Sequence, residues 1–171
     1  MIKTLTDSKA QSLRSGTGHS YQNDVYDRLC HGLKNMPLID VVKPGATASA
    51  LPSLLMRSSI GTFIPDIDIV VVNKVTRNPF VIISTKTSIR ERLTGTFYTK
   101  RVMSDKYPGI PVILVTCDKD LEFGTLDKPR RPRIECAYEN IIVYSDNPDT
   151  ELGMGIKSTD DLISDILKML L

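Results

Sequence analysis

An α/β sandwich, with a mixed central sheet flanked by helices, is the fold class this sequence predicts. Three observations carry it. Two Val/Ile-rich runs, at residues 66–72 and 80–84, flank a polar connection at 73–79, the pattern of a β-hairpin. A continuous apolar run at 110–115 ends in Thr116-Cys117-Asp118, as a strand covered on both faces does. Segments with helical spacing precede, separate and follow these strands. At 171 residues, 41% hydrophobic and 25% charged, the chain suits one domain with one core.

Each element has its own signal. Residues 1–18 are polar and rich in Ser, Thr and Lys and read as an arm, with residues 19–171 as the folded domain. A helix is expected over 20–33, where Tyr21, Val25, Leu29 and Cys30 share a stripe and Gly32 marks the end. A short strand follows at 38–42. The small, Pro-punctuated stretch 43–59 reads as a long connection with one helical turn around Leu54. After the hairpin, residues 88–103 are expected to be helical, with Ile89, Leu93 and Phe97 turned inward. Residues 121–133 read as a Pro-rich basic loop and 141–144 as another strand. Ser158 then caps a helix running to Lys168, with acids in its first turn and Leu162, Ile163, Ile166, Leu167 and Leu170 apolar.

Composition narrows the function classes. A net charge of +2 does not by itself announce a nucleic-acid binder, so any such contact needs local basic clusters. Three widely spaced cysteines, Cys30, Cys117 and Cys136, suit a reducing compartment and no disulfide framework. No run has the length of a membrane span, and the first residues lack the apolar core of a secretory signal. The expectation is a cytoplasmic protein. His19 and His31 show no ligand spacing. There is no P-loop, dinucleotide fingerprint or G-x-S-x-G elbow.

The chemistry concentrates in residues 64–92. Side chains alternate along a strand, so Asp66 and Asp68 share one face, as do Ser84 and Lys86. A turn centred near Thr76 sets Asp66 opposite Lys86 and Asp68 opposite Ser84, with directly opposed Cβ atoms roughly 4.5–5.5 Å apart. A carboxylate and an ammonium then converge at one sheet edge, beside a helix start that favours anions. Such a place suits a divalent metal and a phosphate. The plain readings are a turn aspartate after Pro65, a strand-end lysine reaching solvent, and a Glu91 explained by the Ser88-x-x-Glu91 spacing of a capping box. Asp68, on a strand, needs water, a partner or a metal to be tolerated there.

Pro65-Asp66, a hairpin, and then Ser84-Thr85-Lys86, with a separation of 18 residues from Asp66 to Ser84, resembles the signature of the PD-(D/E)xK nuclease superfamily. The run from Ser84 to Arg92, STKTSIRER, resembles a subset of type II restriction endonucleases with an S-x-K-T-[ST]-x-R-E-R motif. The resemblance covers roughly residues 22–145. It implies a restriction-endonuclease-like core, α-β-β-β-α-β, and a Mg²⁺-dependent endonuclease leaving 5′-phosphate and 3′-hydroxyl ends. Ser84 departs from the acid expected at its place. In related restriction enzymes the following helix supplies that carboxylate, which makes Glu91 the candidate here. The resemblance implies that Asp66 holds the metal, with help from Glu91 or, as its strand face allows, Asp68, and from the Thr85 carbonyl, and that Lys86 orients the attacking water. Ser84 would hold a metal-bound water. Gln22 matches a helix position that often carries a glutamate near the metal; its plain reading is an exposed polar residue.

Arg90, Arg92, Arg101, Lys128, Arg130, Arg131 and Arg133 are the candidate contacts to double-stranded DNA, since arginine reads guanine edges and binds phosphate. A solvated basic loop is the plain alternative. One site cuts one strand, so a homodimer is expected, or a heterodimer with a larger subunit that recognises the sequence. Two other readings stay open. One is a non-catalytic DNA-binding or assembly subunit with the same fold, motivated by Ser84. The other is a junction-resolvase or transposase-type nuclease of the superfamily.

Overall fold

A computed structural model describes residues 5–43, 51, 54, 56–58, 61–63, 65, 67–89 and 93–171, with side chains described outside 5–18, 56–58 and 61–63. Helix α1 (Leu5–Leu33) leads into strand β1 (Ile39–Val42). A small hairpin, β2 (Met56–Ser58) and β3 (Gly61–Phe63), precedes β4 (Ile69–Asn73) and β5 (Pro79–Lys86). Helix α2 (Leu93–Lys106), β6 (Val112–Thr116), α3 (Arg131–Tyr138), β7 (Ile142–Ser145) and β8 (Ile156–Ser158) follow. A 3-10 turn (Thr159–Asp161) opens the last helix, α4 (Leu162–Leu170).

The six-stranded sheet runs β1-β4-β5-β6-β7-β8. Its first two pairings are antiparallel and the other three parallel, the mixed sheet that the sequence predicts. Because β5 to β8 all run one way, Lys86, Thr116, Ser145 and Ser158 end on the same edge of the sheet. Ligand sites of parallel α/β sheets gather at that edge.

Two apolar layers hold the sandwich. On one face, Val25, Leu29 and Leu33 of α1 and Leu162 and Ile166 of α4 pack on Ile69, Val71, Ile83 and Val115. Gly32 is the second-last residue of α1, which ends at Leu33 as expected. A Cβ there would stand 2.7 Å from Ile163, so the residue is small to let α1 and α4 close together. On the other face, Leu51, Leu54 and Met103 cover Val70 and Ile82, while Ile89, Leu93, Phe123 and Cys136 cover Leu114 and Val143.

Several boundaries differ from the sequence reading. The first helix extends back to Leu5, through the stretch read as an arm. The second is described from Leu93 instead of residue 88, and the Ser88 hydroxyl donates to Asp120 (3.4 Å); Glu91, its partner in the expected capping box, lies outside the described residues. Part of the Pro-rich basic loop is helix α3. Pro132 sits in its first turn, where a missing N–H costs nothing and the fixed φ is already helical. Ser158 does cap, accepting from the Asp160 N–H at 3.2 Å.

Candidate active site

The hairpin that carries the site is closed by Asn73, whose Oδ1 accepts from the Val75 and Thr76 N–H groups, with Arg77 in the left-handed region (φ 59°). Pairing then runs Val71 with Val81, Val70 with Ile82 and Ile69 with Ile83, after a bulge beside Val72. That register continues to Asp68 opposite Ser84, as the turn position predicts.

The last three residues of β5 are polar yet buried: Ser84, Thr85 and Lys86. A lysine so enclosed requires a partner. Lys86 Nζ lies 3.0 Å from Asp68 Oδ2, at side-chain exposures of 7% and 18%. The same oxygen accepts the Thr85 N–H at 2.7 Å and, at a longer 3.4 Å, the Ser84 hydroxyl. Behind Ser84, the fully buried Thr96 of α2 donates to Ser84 Oγ at 3.2 Å. Three donors thus crowd onto Oδ2, and among the described residues none reaches Oδ1. On the far side of the strand, Gln22 Nε2 of α1 donates to the Asp68 carbonyl at 2.9 Å. Gln22 is therefore held at the site and not loose on a polar face.

A carboxylate with one oxygen engaged and the other open is a hard anionic donor, the kind that suits a divalent cation. The described residues hold no group of three His, Cys, Asp or Glu side chains that would enclose a metal. Asp66, Arg90, Glu91 and Arg92 lie outside the described residues. The sequence reading ranked Asp68 below Asp66, and it is Asp68 whose contact with Lys86 is described.

The arginines expected at DNA divide. Arg133 is fully buried and donates to the carbonyls of Phe123 (3.1 Å), Gly153 (3.1 Å), Gly124 (3.2 Å) and Glu151 (2.6 Å). It ties two loops together and has no face for a ligand, a correction to its reading as a surface cation. Arg101 pairs with Glu139 at 2.5 Å, just before β7 and so at the opposite edge of the sheet from Lys86. Lys128, Arg130 and Arg131 are exposed; Arg131 pairs with Glu135 one turn along α3.

Asp146, just past β7, was not singled out from sequence. It accepts from Tyr21 (2.7 Å) and Arg28 (2.8 and 2.9 Å) of α1 and from the Thr159 hydroxyl. Burial alone raises its carboxyl, but the hydrogen bonds from Arg28, Thr159 and Tyr21 outweigh that and hold it at about 2. This cluster clamps α1 against the strand ends, one residue from Gln22. Thr96 and Asp146 each had a signal. Thr96 falls in helical step with Leu93, Thr99 and Met103, and Asp146 ends an apolar run with a hydroxyl followed by an acid, as Thr116-Cys117-Asp118 does.

A family model, BsaWI restriction endonuclease type 2, matches residues 53–165. Two solved structures share the fold. One is a restriction endonuclease AgeI–DNA complex, with TM-score 0.72 and 16% identity, covering 94% of this chain and 69% of its own. The other is a pre-specific BsaWI–DNA complex, with TM-score 0.56 and 12% identity, covering 96% of this chain and 65% of its own. This chain thus spans about two thirds of the length of each. No curated protein sequence matches.

Proposed function

The chain belongs to the BsaWI restriction endonuclease type 2 family, and on that premise we propose that it hydrolyses phosphodiester bonds of double-stranded DNA, using Mg²⁺, to 5′-phosphate and 3′-hydroxyl ends. The observation that carries the reading is the buried Lys86–Asp68 contact at the end of β5. An ammonium held 3.0 Å from a carboxylate at the strand-end edge supports the reading, since such a cation compensates charge that develops on a reacting phosphate. Asp68 Oδ1 offers the cation a ligand, with Asp66, Glu91 and the Thr85 carbonyl as its further candidate ligands. When bound, the cation polarises the phosphate and makes a water a better nucleophile. Lys86 orients that water and stabilises the developing negative charge. Ser84 fixes the Asp68 carboxylate, and Gln22 fixes the backbone behind it.

One site cuts one strand. Cutting both calls for a second copy of the chain or a larger partner that reads the sequence. The neighbours' structures are complexes with DNA, which supports DNA as the ligand here.

The test is duplex cleavage with Mg²⁺ by the wild-type chain and by Lys86→Ala, Asp68→Ala and Asp66→Ala. Metal-dependent cutting lost in Lys86→Ala, with duplex binding retained, supports the reading. Nicking of one strand by the isolated chain assigns it to a pair with a larger subunit. Duplex binding without cutting under any metal condition replaces the reading with a non-catalytic DNA-binding subunit.

A further inference from the structure

The turn at residues 117–122, after β6, lies against the segment that follows Lys86. Lys86 and Thr116 are register partners on adjacent parallel strands. Beyond them, Cys117 Sγ donates to the Thr87 carbonyl at 3.3 Å, and the Ser88 hydroxyl donates to Asp120 Oδ2 at 3.4 Å. The tip of the turn, Lys119, therefore stands beside the strand end that carries the Lys86–Asp68 pair.

The turn is rigid. Asp118 is buried and in the left-handed region (φ 37°). Its Oδ1 accepts the Glu122 N–H at 2.8 Å, its Oδ2 the Thr150 hydroxyl at 2.9 Å, and its carbonyl the Asn147 amide at 2.8 Å. Leu121 is also left-handed (φ 49°), and its carbonyl accepts from Arg130 Nη1 at 3.3 Å. Two non-glycine residues in that region within four positions hold a strained turn, and such strain gathers where a side chain must be aimed. The neighbouring acids are occupied: Asp118 inside the turn, Asp120 by Ser88, and Asp146 by Arg28. Lys119 is exposed and makes no hydrogen bond or ion pair with another described residue.

Resting on the reading that this chain acts on DNA, we propose that Lys119, with Arg130 bracing the same turn, binds a backbone phosphate of the strand that runs past Lys86. Fixed cations at a site rim set the register of a duplex without reading its sequence. Lys119 touches phosphate only and is a positioning residue for the reaction.

The experiment measures binding of a short duplex to the full chain by fluorescence anisotropy over a series of salt concentrations, without divalent metal. The variants are Lys119→Ala, Lys119→Arg, Arg130→Ala and, as a control at the opposite edge, Lys74→Ala. Each phosphate contact contributes about 0.9 to the slope of log affinity against log salt. Lys119→Ala is expected to reduce the slope by about one, Arg130→Ala, which removes the brace and not the contact, to reduce it by less than that, Lys119→Arg to restore it, and Lys74→Ala to leave it unchanged. Wild-type binding that is salt-dependent, with an unaltered slope in Lys119→Ala, overturns this assignment and leaves the proposed function standing. No duplex binding by the wild-type chain overturns both.

Discussion

Lys86 Nζ and Asp68 Oδ2 sit 3.0 Å apart at the end of β5, with the lysine side chain 7% exposed and the aspartate 18%. A charge pair so enclosed is costly to split, because the survivor stays desolvated. Asp68→Ala is expected to destabilise the fold by about 3 kcal/mol, seen as a lower urea midpoint at unchanged m. Asp68→Asn, which keeps the shape and an acceptor, is expected to fall between it and wild type.

Among the described residues, Thr96 reaches Asp68 through Ser84. Thr96→Val keeps the side-chain outline and removes the hydroxyl, and a lost buried hydrogen bond costs about 1 kcal/mol. A double-mutant cycle with Ser84→Ala is expected to show coupling of about 0.5–1 kcal/mol. Strict additivity would mean that the two hydroxyls do not act on each other.

Asp146 makes stability depend on acid. Its carboxyl titrates near 2 in the folded chain, below its ordinary 3.8. A depressed carboxyl contributes stability that is fully present above the unfolded value and is lost as pH falls through the folded one. The contribution is about 1–2 kcal/mol after allowing for the partly exposed Arg28 partner, lost between about pH 4 and pH 2. Asp146→Asn is expected to flatten the unfolding free energy across that window and to leave it parallel to wild type above it.

Arg133 is expected to behave as a structural brace. Arg133→Lys cannot reproduce four carbonyl contacts from a planar fork. It should lower stability by about 2–4 kcal/mol, while the salt slope of duplex binding stays at the wild-type value. A smaller slope in a folded Arg133→Lys chain would return the residue to the DNA surface.

Much of the fold was legible because burial leaves a pattern. The alternation at 66–72, the unbroken apolar run at 110–115 and the capped stripe at 158–168 each name their element. The hairpin register followed from the turn position alone. Other parts were not legible, for physical reasons. Pro132 looks like a loop residue until the N–H groups of a first helical turn are counted, so α3 was missed. Strand β8 has three residues and no alternation to read. At the site, the described partner of the lysine is Asp68, two residues from Asp66, which lies outside the described residues. The strand period puts both on one face and cannot choose between them. Arg133 and Lys119 show the same limit in opposite directions. A cation's charge is visible in sequence, while its burial is decided by loops that meet only in the fold.

The parallel run of β5 to β8 also divides labour between the two rims of the sheet. Everything assigned to chemistry hangs from the rim where those strands finish. The rim where they start holds the turn before β6, whose Gly109 (φ 85°) faces open space. That rim is a natural handle. A dye, a tether or a short grafted peptide placed there rides on the molecule about a strand's length from the Lys86–Asp68 pair, so the protein can be immobilised or fused without crowding the rim to which the proposed chemistry is assigned.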